Sequence, residues 1–180
     1  MSAILAIKHK GHVYMAADSA VTAGDGIIIL KKEKKIFKCG SLTIGYTGPM
    51  QGLKTLLYRY KPPRRKAKAT DDQYIYDTVW NSMGLQLIND GVAIKMEDIL
   101  VPDVTLLFVY DGRLFETDAA FTFYEQDRCS AIGVGDEYAQ ALLEQIPEDE
   151  PDVKGKLNAI MLKLIDKYNF VREPVIIERI

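Results

Sequence analysis

Ser2 has the most direct route to covalent chemistry in this sequence, because removal of Met1 before so small a residue leaves one residue carrying both a hydroxyl and a free α-amine. A terminal amine titrates at about 7.7–8.0, so it can accept a proton near neutral pH, which an ordinary lysine cannot. A hydroxyl nucleophile activated by its own terminal amine is an established form of covalent catalysis. The charged residues that could join it are Asp18 and the cluster Lys31, Lys32, Lys34 and Lys35. Two apolar runs, residues 3–7 and 12–16, flank the turn Lys10-Gly11 and predict a hairpin. A hairpin of that length returns Asp18 to the neighbourhood of Ser2. The lysine cluster runs into a short strand at 36–38, and Gly45-Tyr46-Thr47-Gly48 ends the next strand.

The elements that must hold these residues follow from periodicity. In the first two runs, Ile4 and Ala6 alternate with Leu5 and Ile7, and Val13 and Met15 with Tyr14 and Ala16, so both faces are apolar. Such strands belong to a sheet covered on both sides. Residues 49–60 read as a helix with Met50, Leu53, Leu57 and Tyr60 on one stripe. Thr70-Asp71-Asp72-Gln73 is a capping-box signal, and Ile75, Val79, Met83 and Leu87 then recur every four residues until Gly91 stops the helix. Strands are predicted at 103–110, 113–117 and 129–132, helices at 136–146 and 152–168, and a last strand at 174–179. Strands, two helices, strands, two helices predict an α+β fold of two facing sheets with a helical layer outside each.

Composition sets the outer bounds. A chain of 180 residues suits one folded unit, 1–180, with a sizeable core, and 48% hydrophobic with 27% charged residues excludes a disordered chain. A net charge of −2 gives no global attraction to nucleic acid or membrane. No apolar run approaches the roughly 20 residues of a membrane span, and no signal-peptide core precedes the first strand. Cys39 and Cys129 are too few for a disulfide framework, so both are expected in the core of a reduced, cytoplasmic protein. Two histidines without ligand spacing predict neither metal nor cofactor. The basic run Lys61-Pro62-Pro63-Arg64-Arg65-Lys66-Ala67-Lys68 reads as an exposed loop, with contact to an acidic partner or nucleic acid as the alternative, the latter without the aromatic interleaving that would support it.

In their order, these motifs resemble proteasome β-type subunits and the bacterial proteasome-related peptidases, within the N-terminal nucleophile hydrolase superfamily. The resemblance is carried by Ser2-Ala3-Ile4-Leu5-Ala6-Ile7, by Gly11-His12-Val13 with Ala16-Ala17-Asp18-Ser19 and Val21-Thr22, and by Lys34-Lys35-Ile36-Phe37. Thr43-Ile44-Gly45-Tyr46-Thr47-Gly48 and Ala131-Ile132-Gly133-Val134-Gly135 with Tyr138-Ala139 extend it. It implies a four-layer αββα sandwich of mainly antiparallel sheets. It further implies Ser2 as nucleophile, Asp18 orienting a site lysine, and the Gly45 N–H as oxyanion donor. Lys35 matches the order Lys-Lys-apolar-apolar, whereas counting from Ser2 points to Lys34. The chain departs from the family at Val134, where a small hydroxyl residue is common, and at Asn169 and Arg172, aligned with a supporting aspartate and serine.

Two functions follow from the resemblance. The first is a hydrolase that cleaves peptide (amide) bonds with Ser2 once ordinary aminopeptidase trimming has removed Met1. The alternative is a catalytically inactive subunit serving assembly or protein binding. Either implies a homo-oligomeric ring, and the hydrolase also implies a peptide or protein substrate and an ATPase regulator.

Overall fold

Lys10 and Gly11 both take positive φ, 47° and 78°, the geometry that matches a two-residue turn to the twist of its strands. They fold β1 (Ala3–His9) onto β2 (His12–Ala17) with Ile4 opposite Ala17 and His9 opposite His12. The computed structural model describes residues 2–23, 26–29 and 34–180. A small hairpin follows, β3 (Ala20–Ala23) with β4 (Gly26–Ile29), and then β5 (Ile36–Cys39) and β6 (Leu42–Thr47). After the first helical segment comes a second two-stranded hairpin, β7 (Ala93–Met96) with β8 (Ile99–Pro102). The remaining strands are β9 (Thr105–Tyr110), β10 (Arg113–Thr117), β11 (Phe123–Gln126), β12 (Cys129–Gly133) and β13 (Ile176–Arg179).

One sheet has the order β12-β1-β2-β13 and the other β11-β10-β9-β6-β5, with every pairing antiparallel. The two-fold alternation of β1 separates the layers. Ile4 and Ala6 face the second sheet, in a cluster with Met15, Ala17, Leu107, Val109 and Ile132. Ala3, Leu5 and Ile7 face the other way, toward Leu143, Leu157, Met161 and Leu164 of α4 (Asp136–Glu144) and α5 (Val153–Lys167). A strand buried on both faces has no polar side to offer water, which is why its sequence is continuously apolar. The predicted αββα sandwich is therefore the observed one.

The outer helices of the second sheet carry two π-helical stretches. α1 (Met50–Lys54) runs into one at Thr55–Arg59. α2 (Asp71–Gln73), a second stretch at Tyr74–Trp80 and α3 (Asn81–Asn89) form one continuous rod. The predicted capping box closes its start: the Gln73 N–H donates to Thr70 Oγ1 and the Thr70 N–H to Gln73 Oε1. A four-residue apolar repeat overruns the 3.6-residue turn by about 40° each time and would spiral off one face of a regular helix. The wider π turn absorbs that excess. Ile75, Val79, Met83 and Leu87 all stay buried against the sheet. Beside them Trp80 stacks on Phe121 at 4.0 Å and on Phe108 at 5.7 Å, and its indole N–H donates to Phe121 O.

Strands β3, β4, β7, β8 and β11 were not expected from periodicity. The basic run at 61–68 has neither helix nor strand, and Arg65 is held by Asp71 and by Ala69 O while Arg64, Lys66 and Lys68 are exposed. Cys39 and Cys129 are free and buried. No helix among the described residues is long and apolar enough to cross a membrane.

The layer between the sheets is the most sensitive place to remove volume. Leu107→Ala should lower the unfolding free energy by about 2–5 kcal/mol in urea titration, whereas Leu162→Ala, on the exposed face of α5, should change it by no more than about 0.5 kcal/mol.

Candidate active site at the start of the first strand

The ladder of β1 extends to its very first residues. The Val134 N–H donates to Ser2 O at 2.7 Å, just beyond the pair Ala3–Gly133. Gly133 has φ 94°, and a Cβ there would lie 2.1 Å from Ser2 O. Only glycine lets β12 approach the residue that precedes Ala3 so closely. Ser2 is thereby fixed through its carbonyl, and it is buried.

Asp18 holds the other side of the same peptide unit. It follows β2, its N–H donates to Ala3 O at 3.3 Å, and its Oδ1 accepts the Ala3 N–H at 2.9 Å. The same Oδ1 accepts Lys35 Nζ at 2.7 Å, and Oδ2 accepts the Ala20 N–H at 3.0 Å. Lys35 Nζ and the first amide after Ser2 thus share one carboxylate oxygen. Asp18 is 1% exposed and Lys35 3%, so the pair is desolvated. Lys34, the alternative from counting, points to the surface and pairs with Glu178 at 3.3 Å. Neighbouring residues entering a strand face opposite ways, which separates two lysines that the sequence leaves equivalent. Lys31, Lys32 and Met1 lie outside the described residues.

Gly45 sits within β6, opposite Ile36 on one side and Leu107 on the other. The Tyr46 N–H donates to Lys35 O at 2.9 Å, so the Gly45 amide, one residue earlier, is turned toward β9. Its lack of a side chain answers a packing need: a Cβ would lie 2.7 Å from Ile4 Cγ2. The end of the strand comes nearer to Ser2. Thr47 Oγ1 lies 3.6 Å from the Cβ position of Gly133, and the following residue, Gly48, has φ 144°. Neither Thr47 nor Gly48 stands out by residue type; only the strand's end point identifies them.

The C-terminal segment reaches the site through its backbone. The Ser19 N–H donates to Arg172 O at 3.2 Å and Ser19 Oγ to Pro174 O at 2.6 Å, which ties the turn after Asp18 to this segment. Asn169 lies in an exposed turn after α5, and the Arg172 guanidinium donates to Val171 O. Val134 contributes its amide to Ser2 and packs its side chain against the α4–α5 side of the sheet.

Burial governs the electrostatics. Desolvation lowers the pKa of Lys35, while the charge and hydrogen bond of Asp18 oppose the shift. Asp18→Asn removes that opposition and leaves an ammonium facing an amide. The variant should lose about 3–5 kcal/mol of stability at neutral pH, the cost of breaking a buried pair. Its native state releases the Lys35 proton below the ordinary 10.5 at which the unfolded chain does so. The unfolded state then binds more protons in that window, so stability should recover as pH rises toward 10.5. Urea titrations across the alkaline range test both the loss and its sign.

The model of the proteasome subunit family matches residues 2–154. Over 143 residues the chain is 27% identical to the ATP-dependent protease subunit HslV of Listeria welshimeri, covering 77% of this chain and 73% of that protein. Among solved structures it superposes on Thiobacillus denitrificans BPH in complex with epoxomicin with a TM-score of 0.78 at 18% identity, over 99% of this chain and 97% of that one. It also matches the helical assembly of the Anbu complex from Pseudomonas aeruginosa, with a TM-score of 0.71 at 14% identity over 99% of this chain and 80% of that one. With its sandwich of two sheets and its match over most of its length, the chain belongs to the proteasome subunit family and is related to the β-type N-terminal nucleophile hydrolases.

Proposed function

We propose that this chain hydrolyses peptide (amide) bonds with Ser2 as nucleophile, once removal of Met1 has freed its α-amine. The observation that carries the reading is the shared Asp18 oxygen, which joins the Lys35 ammonium to the peptide unit immediately after Ser2. Ser2 Oγ attacks the substrate carbonyl carbon and gives its proton to the α-amine. The C–N bond then breaks, the leaving nitrogen takes that proton, and an ester to Ser2 remains. Water attacks the ester, the α-amine again accepts and returns the proton, and the acid product leaves. Lys35 places positive charge near the developing alkoxide, and Asp18 fixes its position. Gly45, whose amide is turned into the sheet, is not the oxyanion donor in this reading. That role goes to the amide of Gly48 at the end of β6, where a donor contributes about 2.7–4 kcal/mol.

The active form in this reading is a homo-oligomeric ring supplied with substrate by an ATPase partner, as the description of the HslV relative as an ATP-dependent protease subunit suggests for that protein. Val134, without a hydroxyl, and Asn169, in an exposed turn, favour the alternative of an inactive subunit. The two readings separate on the terminal residue. Intact mass of the untagged protein should lack one methionine, and epoxomicin should add its mass to the chain but not to Ser2→Ala. Ser2→Ala should keep the fold and lower kcat/KM for a peptide amide by at least a thousandfold, on the order seen for other nucleophile deletions. With the terminal amine as base, kcat/KM should rise with pH through about 7.7–8.0. A retained methionine, or peptidase activity that survives Ser2→Ala, refutes the reading.

A further inference from the structure

The β7–β8 hairpin carries an apolar face that is buried only at its root and exposed toward its tip. Residues opposite each other in its register share a face, so Ile94, Met96, Ile99 and Val101 lie together. Val101 is buried at the root, while Ile94, Met96 and Ile99 are 42%, 37% and 64% exposed. Leu100, on the other face, is 57% exposed. The tip is acidic, Glu97-Asp98, and its only ion pair among the described residues is an exposed contact of Asp98 with Lys95 at 3.7 Å. A projecting apolar face of this kind marks an interaction surface.

A complementary recess lies elsewhere on the molecule. A cavity of about 710 Å³ opens where β5 and β13, each an edge strand of its sheet, leave the sandwich uncovered. Its lining includes the apolar Phe37, Leu42, Leu57 and Tyr58, and its rim bears Lys34, Lys38 and Arg179 beside Glu178 and Ile180. An adjoining cavity of about 380 Å³ shares Lys38 and Tyr58 and adds Lys61. Lys38 and Lys61 pair with no carboxylate among the described residues. The recess thus mixes apolar and polar lining and carries lysines at its rim, where the hairpin is apolar along its face and acidic at its tip. No residue of the hairpin lines the recess. The root of the hairpin lies by the start of α1, where Val92 approaches Gly52, whereas Leu57 and Tyr58 lie in the π-helical stretch that follows α1.

We propose that the β7–β8 hairpin of one copy docks into the recess beside β5 of a second copy. The contact joins two different surfaces, so it is head-to-tail and propagates into a closed ring or an open helix according to the rotation per subunit. The inference rests on the homo-oligomeric reading above and assigns the surfaces that build it. Charge placement steers the tip to the rim, and burial of Met96 and Ile99 against Leu57 and Tyr58 supplies the affinity.

Charge swapping tests the contact on the full-length protein. Glu97→Lys with Asp98→Lys should weaken self-association at least tenfold in sedimentation equilibrium, and Lys38→Glu with Lys61→Glu should do the same. All four changes together should restore it. Ile99→Ser should weaken it without any change of charge. The positions are exposed or at the recess rim, so unchanged thermal midpoints will show that the fold is intact. An assembly untouched by the tip reversal, or no rescue in the combined variant, overturns the docking while leaving the oligomer standing. A wild-type protein that stays monomeric overturns the oligomer and the docking together.

Discussion

The carboxylate of Asp18 is the constraint on which the rest of the site depends. It is almost fully removed from water, and it accepts the Lys35 ammonium, the Ala3 amide and the Ala20 amide at once. A buried carboxylate must find donors or give up its charge. Here the donors come from β1, from the first residue of β3 and from the residue just before β5. Satisfying one anion therefore fixes the relative position of three elements. The same accounting explains the burial of Lys35, because a desolvated ammonium is tolerable only beside a charge of opposite sign.

The second fixed point is made of backbone. Ser2 is held by its own carbonyl against the Val134 amide, where Gly133 removes the one atom that would keep the strands apart. Across the sandwich Gly45 does the same for Ile4. Anchoring by main chain fixes the position of Ser2 without calling on its side chain. Asp18 and the Val134 amide grip opposite ends of the Ser2–Ala3 peptide unit, so the orientation of that unit is set by groups outside the Ser2 side chain.

Much of the architecture was legible because burial on both faces leaves a plain mark. Leu5 and Ile7 alternating with Ile4 and Ala6 can only be a covered strand, and the four-residue spacing from Ile75 to Leu87 marks a buried helix face. Asp18 was legible through hairpin length, since Lys10-Gly11 fixes where the second strand returns. Lys34 and Lys35 could not be separated by type, because the choice between them is the side of the strand they enter. Gly45 was misleading for a similar reason. The resemblance implied an open amide there, but the direction of an N–H is a property of register with β5 and β9, which no local pattern encodes. The β7–β8 hairpin was missed because Lys95 and the tip Glu97-Asp98 break its apolar alternation.

The two glycines also bear on how far such a chain can drift. What must persist to present Ser2 is small: no side chain at 45 and 133, an acid at 18, and an amine on the inward side of β5. The helical layers are asked only for an apolar stripe, and even its pitch is negotiable, as the π-helical stretch through Tyr74–Trp80 demonstrates. A superposition at TM-score 0.78 with 18% identity shows how little side-chain identity this backbone arrangement demands.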